Sequence, residues 1–261
     1  MMSNFVSRKK FWIILNLISL ALFVFIANKN RITNPKPLLK DSGEYAELSY
    51  HLVFNNTFSY DGKTPTNFRE PLNSFLNVVN IKLFTNIDES MALEKVKSQP
   101  DLVTQLTQIN IFFLILLFLG IWWLVYLLTN SHAWVVPTSF MPLVYFSIDT
   151  TYLKSLNSDL PSIVILVLAI SLLLSFYRKP SILNSIFLAF TLALLIFSKG
   201  VFYYLVPVYI VLIVIVILFK DYQIDKYYKI KLLLLSLILS YMLIIPWQIR
   251  NYFLLSDFSL T

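Results

Sequence analysis

The sequence contains no cysteine and only 4 glycines among its 261 residues. Without cysteine the chain has no disulfide framework, no Cys-ligated zinc and no thiol nucleophile. It also lacks a glycine-rich phosphate loop, a Gly-x-Ser-x-Gly elbow and a His-Glu-x-x-His helix. A nucleotide-driven enzyme is therefore not indicated, and we expect no cofactor.

Charged residues are also scarce. They make up 13% of the chain, against about 25% in soluble domains, while 57% of the residues are hydrophobic. This balance predicts an integral membrane protein. The net charge of +7 does not predict nucleic-acid binding, because lysine and arginine cluster at the ends of apolar runs, where they set membrane orientation.

Seven apolar runs approach the length of about 20 residues that crosses a bilayer, and several of the shorter ones require tilting or local thinning. They cover residues 11–27, 109–128, 133–148, 160–177, 183–197, 201–219 and 232–249. The expected fold is an all-α membrane module with about seven transmembrane helices. Residues 28–108, which we call the polar segment, form a long first loop, and residues 250–261 follow the last span.

The distribution of basic residues predicts the orientation of the chain. Arg8, Lys9 and Lys10 precede the first run, which ends without a signal-peptide cleavage pattern, so we expect a permanent anchor with a cytoplasmic N-terminus. Residues 178–179 and 220–231 carry the basic residues of the later loops and are expected inside. The polar segment and residues 250–261 then lie outside. His51 and His132 fall on opposite faces, and we expect no metal site.

Two amphipathic helices are predicted in the polar segment. The first runs from Asp41 to about Phe54, and the second begins at Arg69-Glu70-Pro71, with proline in the first turn. Helices of this kind commonly lie in the membrane interface. Asp41 followed three residues later by Glu44 is a capping-box pattern. A carboxylate at the membrane surface is also a candidate for proton transfer, and the two roles are compatible.

The predicted topology places four ionisable residues on the outer face: Asp41, Asp159, Lys199 and Arg250. Lys199 interrupts a nearly continuous apolar stretch, where it either binds an anion or extends to the lipid headgroups from a tight hairpin. Arg250, between Trp247 and Tyr252, also fits an interfacial anchor, and Asp159 beside Pro161 also fits a helix cap.

The chain resembles the polytopic GT-C glycosyltransferases, which include protein O-mannosyltransferases and the lipid A aminoarabinose transferase. The similar segments are Asp41 to Ala46, Arg69 to Leu76, Ser158-Asp159, Phe197 to Gly200 and Pro246 to Tyr252. They occur in the order found in that family. Asp159 stands where relatives often have glutamate, and Asn73-Ser74 replaces Tyr-Pro. The chain resembles only the N-terminal membrane module of the family, so we expect a fragment or half of a split enzyme with a C-terminal partner subunit.

The resemblance implies transfer of a sugar from a polyprenyl-phosphate donor to a lipid, glycan or protein acceptor, on the outer face of a bacterial plasma membrane. Phosphate is a good leaving group, so the reaction needs a base for the acceptor and positive charge for the departing phosphate. Asp41 and Asp159 are the expected catalytic residues. The expected substrate-binding residues are Glu44, Tyr45, Arg69, Lys199 and Arg250.

Two other functions fit the same sequence. A transporter or flippase for a lipid-linked sugar would use a similar cationic phosphate site, but the chain shows no convincing internal repeat. A noncatalytic membrane subunit is the other alternative.

Overall fold

The computed structural model describes residues 2–148, 151–220 and 226–260. Within these ranges the chain is helical, with no β-strand, which confirms the all-α prediction. The helices are α1 (Met2–Ile32), α2 (Asp41–Phe54), α3 (Pro71–Phe84), α4 (Leu93–Ser98), α5 (Pro100–Thr107), α6 (Ile109–Thr129), α7 (Val135–Ile148), α8 (Asp159–Arg178), α9 (Ile182–Ser198), α10 (Val201–Lys220) and α11 (Lys226–Leu255).

Five helical stretches among the described residues are long and apolar enough to cross a membrane. They are Lys9–Ile32, Pro100–Thr129, Asp159–Arg178, Val201–Phe219 and Lys226–Leu255. The apolar helix α9 has 17 residues and α7 has 14, so both are shorter than these five. The chain is therefore an integral membrane protein by the length and composition of its helices. The predicted inner loop 220–231 lies partly outside the described residues.

The long helices pack as a bundle in which some neighbours in space are also neighbours in sequence and others are not. Helix α11 packs on α9, α9 on α8, and α8 on α6, while α1 and α7 pack on α6 and on each other. The contact between α6 and α8 is close at Gly120, where a Cβ atom would lie 3.1 Å from Val167 Cγ1. A small residue at this point lets two helix backbones approach.

The polar segment folds into a second layer with a core of its own. Helix α2 packs on α3 and buries Tyr45 and Leu48, and α5 continues this core towards α1 and α6. Both predicted helices are confirmed: α2 spans Asp41–Phe54, and α3 begins with Pro71 in its first turn.

Helix α3 has an inverted amphipathic pattern. Asn73, Asn77 and Asn80 are buried against the protein, whereas Val79 and Leu83 have 50% and 67% of their surface exposed. Burying amides while exposing aliphatic side chains is unfavourable in water and favourable beside lipid. The apolar side of α3 therefore has the properties of a membrane-facing surface.

Candidate functional site

The turn before α2 sets the position of the first acidic residues. Lys40, with φ 51° and ψ −134°, adopts a backbone conformation that is strained for a residue with a side chain. Gly43 lies against this turn, and a Cβ atom there would be 3.0 Å from the carbonyl oxygen of Leu38. The chain thus reverses direction sharply before α2, and Asp41 and Glu44 lie in the first turn of that helix.

The capping-box prediction for Asp41 is wrong. The residue that caps α2 is Lys40, and no side chain makes a capping hydrogen bond there. The carboxylate of Asp41 instead contacts Arg69, with Oδ1 at 2.6 Å from Nη2. Asp41 lies one residue inside the helix, after the N-cap position, and its carboxylate pairs with a guanidinium from the segment before α3.

Arg69 holds two carboxylates of α2 at once. Its Nη2 contacts Asp41 and its Nε lies 2.6 Å from Glu44 Oε2, which is possible because residues three apart share a helix face. Burial lowers the pKa of the Arg69 guanidinium, but the hydrogen bond to Glu44 and the charges of Asp41 and Glu44 outweigh it and raise the pKa above its usual value. The Asp41 side chain remains 57% exposed, so a ligand can reach it.

Glu70 joins this cluster to the helix bundle. Its Oε2 accepts a hydrogen bond from the Tyr45 hydroxyl at 2.9 Å, and its Oε1 accepts one from the backbone amide of Gly200 at 3.0 Å. Tyr45 is 1% exposed, and burial, followed by the charge of Glu70, raises the pKa of its hydroxyl. The hydroxyl therefore remains a donor at neutral pH. Tyr45 was expected to bind substrate, yet its ring and hydroxyl are enclosed by protein.

Glu70 was not among the predicted site residues. The available signal was an acidic residue next to Arg69 and immediately before the proline that opens α3. That position is the N-cap of α3, but the side chain makes no cap and turns to Tyr45 and Gly200.

The second pair of predicted residues meets at the ends of the spans. Lys199 follows α9, Asp159 begins α8, and the Lys199 ammonium forms an ion pair with Asp159 Oδ1. Asp159 makes no capping hydrogen bond, so the cap interpretation is wrong here as well. Both side chains are 37% exposed. The ion pair adjoins the Glu70 contact, because Gly200 directly follows Lys199.

Arg250 lies apart from the acidic cluster. Its Nη1 donates to the Thr66 carbonyl at 2.9 Å and to Asn251 Oδ1 at 2.8 Å, and its guanidinium lies 4.7 Å from the centre of the Trp247 ring. These contacts fix the loop before Arg69 against α11. They are contacts within the protein and do not test an interfacial anchor, and the structure does not bring Arg250 into contact with Lys199.

Buried hydrogen bonds fix the segment that leads into α8. The Leu156 amide donates to Ser42 Oγ at 2.7 Å, and the Leu156 carbonyl accepts a hydrogen bond from Asn73 Nδ2. One peptide position therefore contacts both α2 and α3. This attachment holds Asp159, three residues later, at the end of the bundle beside the polar segment.

An apolar groove of about 760 Å³ runs between α1, α3 and α6. Phe25, Val79 and Phe112 are among its apolar lining residues, and Asn28 and Gln108 among its polar ones. Such a groove, apolar along its length with a few polar groups, has the composition of a site for a lipid chain.

The arrangement brings together six of the seven predicted site residues: Asp41, Glu44, Tyr45, Arg69, Asp159 and Lys199. It offers exposed carboxylates that can accept a proton and cations that can stabilise an anion. Among the described residues, no three His, Asp or Glu side chains are placed to hold one metal ion. No protein-family model and no curated protein matches this chain, so its function must be argued from these residues.

Proposed function

We propose that the protein transfers a sugar from a polyprenyl-phosphate donor to an acceptor on the outer face of the membrane. The observation that carries this proposal is one continuous set of contacts. It runs from the Arg69 clamp on Asp41 and Glu44, through Tyr45 and Glu70, to Gly200 and the Lys199–Asp159 pair. These residues come from four separate parts of the sequence and meet where the spans end.

In the proposed reaction Asp41 accepts the proton of the acceptor. Arg69 holds its Oδ1, which orients the carboxylate, and the exposed side chain remains reachable. Lys199 stabilises the departing phosphate, which competes with Asp159 for the ammonium group. Asp159, once released, positions the acceptor or the sugar. Arg250 holds the segment before Arg69 through its hydrogen bond to the Thr66 carbonyl. To bind the phosphate, Arg250 would have to break that hydrogen bond.

The membrane arrangement that accompanies this proposal is the one expected from the sequence. The seven apolar runs span a bacterial plasma membrane from a cytoplasmic N-terminus, with α7 and α9 accommodated by tilting or local thinning. The apolar side of α3 rests in the outer interface. The groove between α1, α3 and α6 receives the polyprenyl chain.

The test is single-turnover transfer from a labelled polyprenyl-phosphate sugar by the protein reconstituted in liposomes, with any C-terminal partner subunit supplied. Asp41→Asn preserves the size of the side chain and an oxygen for Arg69, but an amide accepts no proton at neutral pH. Loss of a general base typically slows a reaction by about 10² to 10⁴, so we expect transfer at least about 100-fold slower with donor binding retained. Asp61→Asn, in an exposed loop, is the matched control.

Two results would contradict the proposal. Transfer at the parental rate by Asp41→Asn would remove Asp41 as the base. Donor binding with no transfer by the parent and its partner would favour the transporter or the noncatalytic subunit, and movement of the labelled donor between leaflets would separate those two.

A further inference from the structure

A pocket of about 370 Å³ lies beside Asp41, on the side formed by the turn before α2 and the segment before α8. Three lysines line it, Lys36, Lys40 and Lys154, together with one carboxylate, that of Asp41. The lining therefore carries an excess of two formal positive charges. In a chain with only 13% charged residues, three cations around one small pocket require an explanation.

The structure holds these cations together despite their repulsion. Lys154 is partly buried and donates from Nζ to the Thr33 carbonyl at 2.6 Å. Burial, followed by the charge of Lys36, lowers the pKa of the Lys154 ammonium. Lys40 enters the pocket from a backbone with φ 51°, which glycine would adopt without strain. A strained lysine beside two other lysines is unfavourable for folding alone and is typical of a binding site.

The charge of Asp41 does not cancel that of the lysines. Its Oδ1 is held at 2.6 Å by Arg69, so part of its charge is already compensated by a cation that does not line the pocket. The first turn of α2, including Ser42, also borders the pocket, and the partial positive charge of a helix N-terminus favours an anion there.

Two pocket-lining residues carry buried polar atoms without a hydrogen-bond partner among the described residues. They are Oγ of Ser155 and Oδ1 of Asn157. A buried polar atom without a partner is unfavourable. Both atoms are closed to solvent, so a ligand in the pocket would reach them only after the wall rearranges, and the lysines are the groups that can recognise a ligand directly.

We infer that this pocket binds a phosphate monoester, such as a glycerol phosphate or sugar phosphate headgroup. The three lysines that line the pocket bind the phosphate. A phosphate monoester, with close to two negative charges, matches the excess positive charge better than a carboxylate, which carries one. Lysine is a common point-charge ligand for phosphate. This second anion site is separate from Lys199 and does not depend on the transfer reaction.

The position of the pocket allows the ester to come from a lipid or from solution. Lys36 follows α1, a helix long and apolar enough to cross a membrane, by four residues, and basic residues beyond the ends of such helices commonly contact lipid headgroups. Glycerol 3-phosphate and 1-acylglycerol 3-phosphate carry the same group without and with a membrane chain. Comparing them distinguishes a soluble ligand from a lipid.

The experiment is lysine footprinting of the purified full chain in detergent, read by mass spectrometry. An amine-acylating reagent is applied with and without each ester, and with monoacylglycerol as the uncharged control. We expect either ester to slow acylation of Lys36 and Lys40, while the exposed Lys63 reacts at an unchanged rate. Protection by the acylated ester alone assigns the site to a lipid headgroup, and equal protection by both assigns it to a soluble ester.

Variants then test the charges. Lys36→Ala and Lys40→Gly should each weaken binding of the protecting ester about tenfold, the loss of one charge-assisted contact, whereas Lys63→Ala should not. Lys40→Gly is the sharper variant, because glycine relieves the strained backbone and should keep or raise the melting temperature. Acylation of Lys36 and Lys40 at the same rate with and without both esters would overturn the inference. The inference would also be overturned if both variants bound the ester with the affinity of the parent.

Discussion

The backbone amide of Gly200 donates to Oε1 of Glu70 at 3.0 Å, although the two residues are 130 positions apart. The other carboxylate oxygen of Glu70 accepts from Tyr45 at 2.9 Å. One side chain therefore connects α2 with the turn between α9 and α10. It also sets the distance between the Arg69 clamp and the Lys199–Asp159 pair, on which the proposed chemistry depends.

Glu70→Gln tests this connection. Glutamate has two acceptor oxygens, whereas glutamine has one oxygen and one NH2 group, which donates. Either the Tyr45 hydroxyl or the Gly200 amide would therefore face that NH2 group and lose its acceptor. We expect a loss of about 1–3 kcal/mol in the free energy of unfolding, the usual effect of leaving a buried partner unsatisfied. Chemical unfolding in detergent measures it. Glu94→Gln, at a side chain that is 83% exposed, should change stability little, and equal stability of the two variants would mean that the bridge contributes nothing.

Tyr45 provides a prediction about pH. Burial, and then the charge of Glu70, raise the pKa of its hydroxyl above the usual value of about 10. Above pH 10 the unfolded chain therefore loses this proton before the folded protein does. The stabilising contribution is fully present below about pH 10 and is lost as the pH rises towards the folded pKa.

The measurement is unfolding free energy against pH for the parent and Tyr45→Phe. Above pH 10 the parent should lose stability more steeply than Tyr45→Phe, and the difference between the curves should shrink with rising pH. Tyr227→Phe, at a residue that is 63% exposed, should follow the parent. Parallel curves for the parent and Tyr45→Phe would show that burial of Tyr45 does not affect its titration.

Some of the site could be predicted from the sequence, and particular contacts show why the rest could not. The bounds of α2 and the start of α3 follow from local patterns, namely helical spacing and a proline in the first turn. Pairing of Asp41 with Arg69 joins residues 28 positions apart. No local pattern encodes that contact, which is why the capping box pointed to the wrong partner. Glu70 was missed for the same reason, since both its partners are distant in sequence.

Ser42→Ala should loosen the segment that leads into α8. The buried Leu156 amide donates to Ser42 Oγ at 2.7 Å, and alanine removes the acceptor without changing the backbone. A buried amide without a partner costs about 1–3 kcal/mol, which unfolding in detergent would measure. The control is Ser98→Ala, at an exposed serine whose hydroxyl bonds within its own helix. A Ser42→Ala protein as stable as the control would mean that water or a rearranged side chain replaces the lost acceptor.

The topology is testable because the chain has no cysteine of its own. Thr64 lies in the polar segment, and the exposed Lys179 follows α8 in a loop expected inside. In intact cells an impermeant thiol reagent should label Thr64→Cys and leave Lys179→Cys unlabelled until the membrane is permeabilised. Labelling of Lys179→Cys alone in intact cells would invert the proposed orientation and move the acidic cluster to the cytoplasmic face.

The Lys199–Asp159 pair predicts that two variants change the affinity for polyprenyl phosphate in opposite directions. In the absence of ligand the ammonium of Lys199 is paired with Asp159, and a donor phosphate must displace that carboxylate. Asp159→Asn removes the competitor. A pair with both side chains 37% exposed is worth about 0.2–1 kcal/mol, so binding of a polyprenyl phosphate should tighten by a factor of about 1.4 to 5. Lys199→Ala should weaken the same binding, because it removes the cation.

Equilibrium binding of a fluorescent polyprenyl phosphate to the detergent-solubilised protein measures both effects, with Lys226→Ala as the control at the opposite end of α11 from Arg250. Tighter binding by Asp159→Asn, combined with slower transfer, would mean that Asp159 contributes to the chemistry and not only to the resting ion pair. If Lys199→Ala binds as tightly as the parent, Lys199 serves as an ion-paired residue at the lipid headgroups, and the donor phosphate is held elsewhere. The lysine pocket beside Asp41 would then be the next site to test for the donor, because three lysines and the exposed Asp41 line the same space of about 370 Å³.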